Sequence, residues 1–179
     1  VAHAFPRHYK LKEGDLLKVD MVLSEPLDKA VVDVSKLNFN DVKAMKKITQ
    51  TYRGGVADSC WAYAVGQVSE EVQNLMDVTK ECLYRGIEQA VVGNRIGDIG
   101  AAIQEYIASL DAGYGIVREY TGHGIGREFH EPPQVLHVGK KGYGEKFKPG
   151  MTFTVEPMVN GGTYKTVLSR VDGWTVRTA

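Results

Sequence analysis

Gly122-His123-Gly124-Ile125-Gly126-Arg127-Glu128-Phe129-His130-Glu131-Pro132-Pro133 is the stretch from which the rest of this chain is read. Its histidines, His123 and His130, are spaced as two residues on one helix face would be. Three alternating glycines and the Pro132-Pro133 pair argue against helix. Glycine tolerates φ values that other residues avoid, so a sharp backbone turn is expected here. The segment reads as a loop folded back on itself, with both imidazoles aimed at one cleft. A glycine-rich turn with two surface histidines is the plain alternative.

Composition narrows the classes. A chain of 179 residues suits one domain and can bury a substantial core. Hydrophobic residues make up 43% and charged residues 25%, which is globular rather than disordered material. Lys+Arg and Asp+Glu both number 22, so no basic excess points to direct nucleic-acid binding. Two cysteines, Cys60 and Cys82, make no disulfide framework and suggest a reduced, cytoplasmic setting. No apolar run approaches the roughly 18 residues of a membrane span. No signal peptide is expected. The sequence opens with Val1 and stops after Trp174-Thr175-Val176-Arg177-Thr178-Ala179, and both ends read as cut.

Working outward, Leu16 to Leu23 reads as a mostly buried strand with Asp20 inside it. A carboxylate in an apolar run needs a cation, basic or metallic. Val56 to Val65 is a second strand candidate, and it carries Asp58. On neighbouring strands the two carboxylates would come close, and both could stay ionised only with a cation between them. Each Asp could instead cap a turn on its own. Between them, Ser24 to Thr51 reads as a surface insert, with a short strand at Val31–Val34 and a helix capped by Asn40.

Ser69 caps an amphipathic helix that Gly93 ends, with Cys82 as a packing residue. Asp98 is expected to cap a second helix carrying Ile99, Ile103, Tyr106 and Ile107. Tyr114 to Tyr120 reads as a strand leading to His123, and Val135 to His137 as another, with His137 structural or exposed. Met151 to Pro157 alternates, so Glu156 projects from its polar face.

Asp20, Asp58, His123 and Glu156 therefore remain as polar residues in need of partners. Three carboxylates and an imidazole suit Mn, Fe, Co or Zn. One or two such ions would remove the repulsion between the aspartates.

At these residues the chain resembles the type I methionine aminopeptidases. The matching segments are Lys18-Val19-Asp20, Ala57-Asp58-Ser59, Gly122 to Gly126 followed by His130-Glu131-Pro132-Pro133, and Met151 to Met158. The resemblance covers almost everything outside the insert. It implies the pita-bread fold, an α+β antiparallel sheet with helices on its outer face, here incomplete at both ends. It also implies one catalytic domain over residues 1–179, with the insert at about 24–51. The implied activity is removal of the initiator methionine from nascent proteins and peptides. The resemblance assigns Asp20, Asp58, His123 and Glu156 as ligands of one or two divalent ions, Co, Mn, Fe or Zn. Glu156 would also be the general base. His130 would steady the developing oxyanion. His3 would contact substrate and help move a proton. Phe129 and Trp174 match positions around the methionine side chain.

The expected partners are peptides and nascent chains with N-terminal Met, at the ribosome or free, with no membrane partner. The complete protein is expected to be monomeric. The pattern departs from the family in three ways. A fifth ligand, a second glutamate, is expected beyond Ala179. Helices expected before Val1 are absent. Asp20 and Asp58 lie 38 positions apart instead of on a short hairpin, as in a bacterial subgroup with an insert. Prolidase-like peptidases, and non-catalytic relatives that bind peptide or ribosome, are the alternatives.

Overall fold

A computed structural model of the chain describes residues 4, 8–24 and 55–179. The strand and helix expected within the insert lie outside the described residues. Strand β1 (Leu16–Ser24) pairs antiparallel with β2 (Val56–Ala64). The register sets Asp20 against Cys60 and Val22 against Asp58. Residues directly opposite share a face, and so do residues two apart. Asp20, Val22, Asp58 and Cys60 therefore stand on one face of the ribbon.

β1 is less buried than its apolar run suggests, with Leu23 66% exposed. An apolar strand is buried only where another element lies over it. Among the described residues this pair forms a two-stranded sheet by itself.

Helix α1 (Glu70–Glu88) begins as expected: Ser69 Oγ accepts the Val72 N–H, and Glu70 and Glu71 occupy the first turn. It stops before Gly93. The last turn tightens, with Gln89 N–H donating to Gly86 C=O and Ala90 N–H to Ile87 C=O. Gly93 serves the turn that follows, with φ 105°.

Helix α2 (Ile96–Leu110) starts two residues before Asp98. Asp98 is thus the third helical residue and not the cap. Its carboxylate reaches back to the Arg95 N–H at 2.7 Å and across to the Gly142 N–H at 2.6 Å. The helix lies flush on residues 138–143, because a Cβ at Gly100 would stand 2.6 Å from the Val138 carbonyl carbon.

Three short antiparallel pairs follow. β3 (Tyr114–Ile116) pairs with β6 (Val159–Gly161), β4 (Gly122–Gly124) with β5 (Glu131–Val135), and β7 (Thr166–Leu168) with β8 (Val176–Thr178). Two sequence expectations shift. The strand from Tyr114 ends at Ile116, although Val117 N–H still reaches Met158 C=O. The strand expected to begin at Val135 instead ends there.

Met151 to Pro157 is extended and meets β4 through a single bridge, Phe153 to Gly124. Its alternation holds, since Phe153 and Val155 pack on the core. That core gathers Cys82, Ile99, Ile103 and Val135, all fully buried. Burial pushes the Cys82 thiol up to about 12, as befits a packing residue.

Candidate metal centre

His123 stands on β4, where the pairing with β5 slips between His123 and Gly124. A bulge of this kind re-aims a side chain. The neighbouring extended segment clasps the same residue. Thr154 N–H donates to His123 C=O at 2.8 Å, and His123 N–H donates to Thr154 Oγ1 at 3.0 Å.

The flanking glycines serve closeness, not unusual φ. None of Gly122, Gly124 and Gly126 has positive φ. A Cβ at Gly122 would strike the Thr154 carbonyl oxygen, and one at Gly124 the Pro132 carbonyl oxygen. Main chains pack against each other here too tightly for any side chain.

The ring of His123 is oriented by its own neighbour. Nδ1 lies 2.9 Å from the Gly124 carbonyl oxygen. A carbonyl only accepts, so Nδ1 carries a proton and Nε2 is the ring atom open to a cation. Nε2 faces Asp58 Oδ2 at 3.6 Å and Glu156 Oε1 at 3.5 Å. Donor atoms of Asp58, His123 and Glu156 all lie within 4.8 Å of one another. Thr154 Oγ1 donates to Glu156 Oε1 at 2.6 Å and fixes that carboxylate.

The electrostatics fit a cation. Asp58 Oδ1 is buried without a hydrogen-bond partner. Burial first, then the charge of Asp20, raises the Asp58 pKa. Burial likewise raises that of Glu156. Three electron-rich atoms converge, and the carboxylates resist ionising together. A divalent ion satisfies all three. Oxygen and neutral imidazole donors suit the borderline metals expected from sequence. Asp20 shares the ribbon face with Asp58 and acts on it electrostatically, but it lies outside the three-residue group.

The loop after β4 brings the second histidine back. The rings of His123 and His130 stand 4.3 Å apart, and Phe129 meets His123 edge-on at 5.4 Å. The two imidazoles stand side by side. Partial burial, then His123, lowers the His130 pKa. Glu131 closes the loop by accepting the Glu128 N–H at 2.8 Å. Gly126 C=O accepts the Val56 N–H at 2.8 Å and ties the loop to β2, two residues before Asp58.

Trp174 lies on the β7–β8 turn, 48% exposed, with its N–H donating to Asp172 Oδ1. His3 lies outside the described residues.

Two supporting residues escaped the sequence reading, Thr154 and His137. His137 is 2% exposed, and its Nε2 accepts the Glu156 N–H at 3.0 Å. Burial pushes its pKa down to about 4. Alternation offered the signal, since His137 is two residues after the fully buried Val135 and shares its face.

The chain matches the family described as Peptidase_M24, Metallopeptidase family M24, over residues 32–178. A methionine aminopeptidase of Rickettsia prowazekii is 39% identical over 99% of this chain and 58% of its own length. One from Clostridium acetobutylicum is 40% identical over 99% of this chain and 60% of its own length. A solved methionine aminopeptidase from Streptococci is 58% identical, with TM-score 0.80, over 99% of this chain and 60% of that one. The chain thus spans about three fifths of the length of the curated relatives it matches. These likenesses establish the expected α+β pita-bread fold.

Proposed function

This chain belongs to metallopeptidase family M24, and on that premise we propose that it removes N-terminal methionine from proteins and peptides. One observation carries the reading. Nε2 of His123 stands 3.6 Å from Asp58 Oδ2 and 3.5 Å from Glu156 Oε1, and donor atoms of the three residues lie within 4.8 Å of one another, an arrangement suited to a divalent cation. Asp58, His123 and Glu156 would hold the ion, with Asp20 beside Asp58 available to a second. Bound there, such ions polarise a carbonyl and lower the pKa of water.

The remaining chemistry falls to the chain's own groups. Glu156, held by Thr154, takes the proton of the attacking water. Burial raises its carboxyl pKa, which makes the carboxylate a stronger base. His130 stands beside His123 and donates to the oxygen on which charge develops. Phe129 offers an aromatic wall for the methionine side chain, with Trp174 at its rim and His3 near the scissile amide. The metal is Co, Mn, Fe or Zn. The substrates are peptides and nascent chains in the cytoplasm, met at the ribosome or free. The active protein is a monomer, with one catalytic domain bearing the insert at about 24–51.

The test is release of Met from Met-Ala-Ser by the complete protein. Activity should vanish on chelation and return with manganese or cobalt. Glu156→Gln should lower kcat about 10²-fold or more. Full turnover after chelation, or cleavage confined to bonds before proline, would overturn the reading.

A further inference from the structure

Glu156 is anchored from an unexpected direction. On one side of it, Thr154 N–H donates to His123 C=O at 2.8 Å; on the other, Met158 C=O accepts from Val117 N–H at 3.0 Å. Both are main-chain bonds of ordinary strand type. Glu156 lies between them, and its N–H goes to the imidazole of His137 at 3.0 Å. The next residue is Pro157, which has no N–H to give. The imidazole is therefore the tether of the main chain at this point.

The same ring is costly where it sits. An Nε2 that accepts an N–H is deprotonated, so the ring proton is on Nδ1. Nδ1 is buried and has no hydrogen-bond partner. A leucine would fill this volume without an orphaned donor, but it would also strand the Glu156 N–H.

We propose that His137 is a positioning residue: its Nε2 fixes the main chain at Glu156, so that the carboxylate keeps its place beside His123 and Asp58. This rests on the metal reading of the site. Two restraints then act on Glu156 from different elements. Thr154 Oγ1 holds the carboxylate and His137 holds the backbone beneath it. Releasing the second lets the carboxylate swing about Cα, and the donor set loses its alignment. Partners behind metal ligands commonly change metal affinity by about 10–100-fold.

The test uses the complete protein and cobalt(II) alone, titrated by visible absorption. His137→Leu should weaken cobalt binding about tenfold or more and alter the d–d bands. His137→Gln, whose amide oxygen can accept the same N–H, should recover most of the affinity. Val176→Ala removes buried volume on β8, outside the core behind His123 and Glu156, and should lower the melting temperature, leaving cobalt affinity and bands unchanged. Should His137→Leu not fold, His137→Met keeps volume without a good acceptor and takes its place. Wild-type affinity and bands in the leucine or methionine variant would overturn the inference, as would an equal shift in Val176→Ala. Absence of cobalt bands in the unsubstituted protein would instead remove the metal reading, and the inference with it.

Discussion

His123 and Glu156 stand on segments backed by Ile99, Ile103, Cys82 and Val135, all fully buried, whereas Asp20 and Asp58 stand on a ribbon whose Met21 and Leu23 are 53% and 66% exposed. Apolar burial stabilises by about 25 cal/mol per Å², so it favours the first region heavily. The ribbon is joined to the rest by sparser means. Val56 N–H bonds Gly126 C=O, and Lys80 lies over the Trp61 ring at 5.8 Å. Among the described residues, the donor set therefore straddles one region with its own core and one without. Local opening follows such differences in burial. A cation bound by both regions would act as a staple between them.

The strongest way to break that comparison is from the core side. Ile99→Ala empties a fully buried position between the helices and the strands. It should cost about 3 kcal/mol, within the 2–5 kcal/mol usual for such truncations. Urea midpoints measure it. A loss below about 1 kcal/mol would mean that the core is not what holds His123 and Glu156.

The staple itself predicts an effect almost as large. Manganese at 100 times its dissociation constant should stabilise the protein by about 2.7 kcal/mol. Hydrogen exchange should localise the gain. Without metal, amides of β1 and β2 should exchange faster than those of α2, and metal should slow them selectively. Asp58→Asn should abolish the slowing. Equal exchange in the two regions, with and without metal, would end the comparison.

The smallest effect belongs to the anchored region alone. Asp98→Ala strands the Arg95 and Gly142 N–H groups and should cost about 1 kcal/mol near neutral pH. Those two bonds hold the Asp98 carboxyl below its ordinary range. The sign follows from that depression. The stabilisation is complete above the unfolded value, near about 3.9, and is lost as pH falls through the lower folded value. Wild type and variant should therefore converge in stability in acid. A gap that persists unchanged at low pH would assign the loss to packing instead.

Much of the molecule was legible in the chain. Period-two alternation marked the Met151 to Pro157 segment and the side on which Glu156 projects. Ser69 with Glu70 and Glu71 marked the start of α1. A carboxylate inside a strand-like run marked Asp58, which the fold sets beside His123, whereas Asp20 is exposed and lies outside the three-residue group. These are local signals, set by the chemistry of a few adjacent residues.

The packing of distant segments decided the rest. Asp98, the third residue of its helix, also accepts the Gly142 N–H, 44 positions away, a contact that the residues around the helix start do not show. The glycines around His123 are small because Thr154 and Pro132 press against them, a reason invisible in the motif. His137 read as structural or exposed, and only the fold brings its imidazole to the Glu156 N–H. The gathering of Asp58, His123 and Glu156 within 4.8 Å is likewise tertiary, since β2, β4 and the extended segment must meet first. Residue type fixes what a side chain can donate or accept. Only the folded chain fixes what lies within 3 Å or so to receive it.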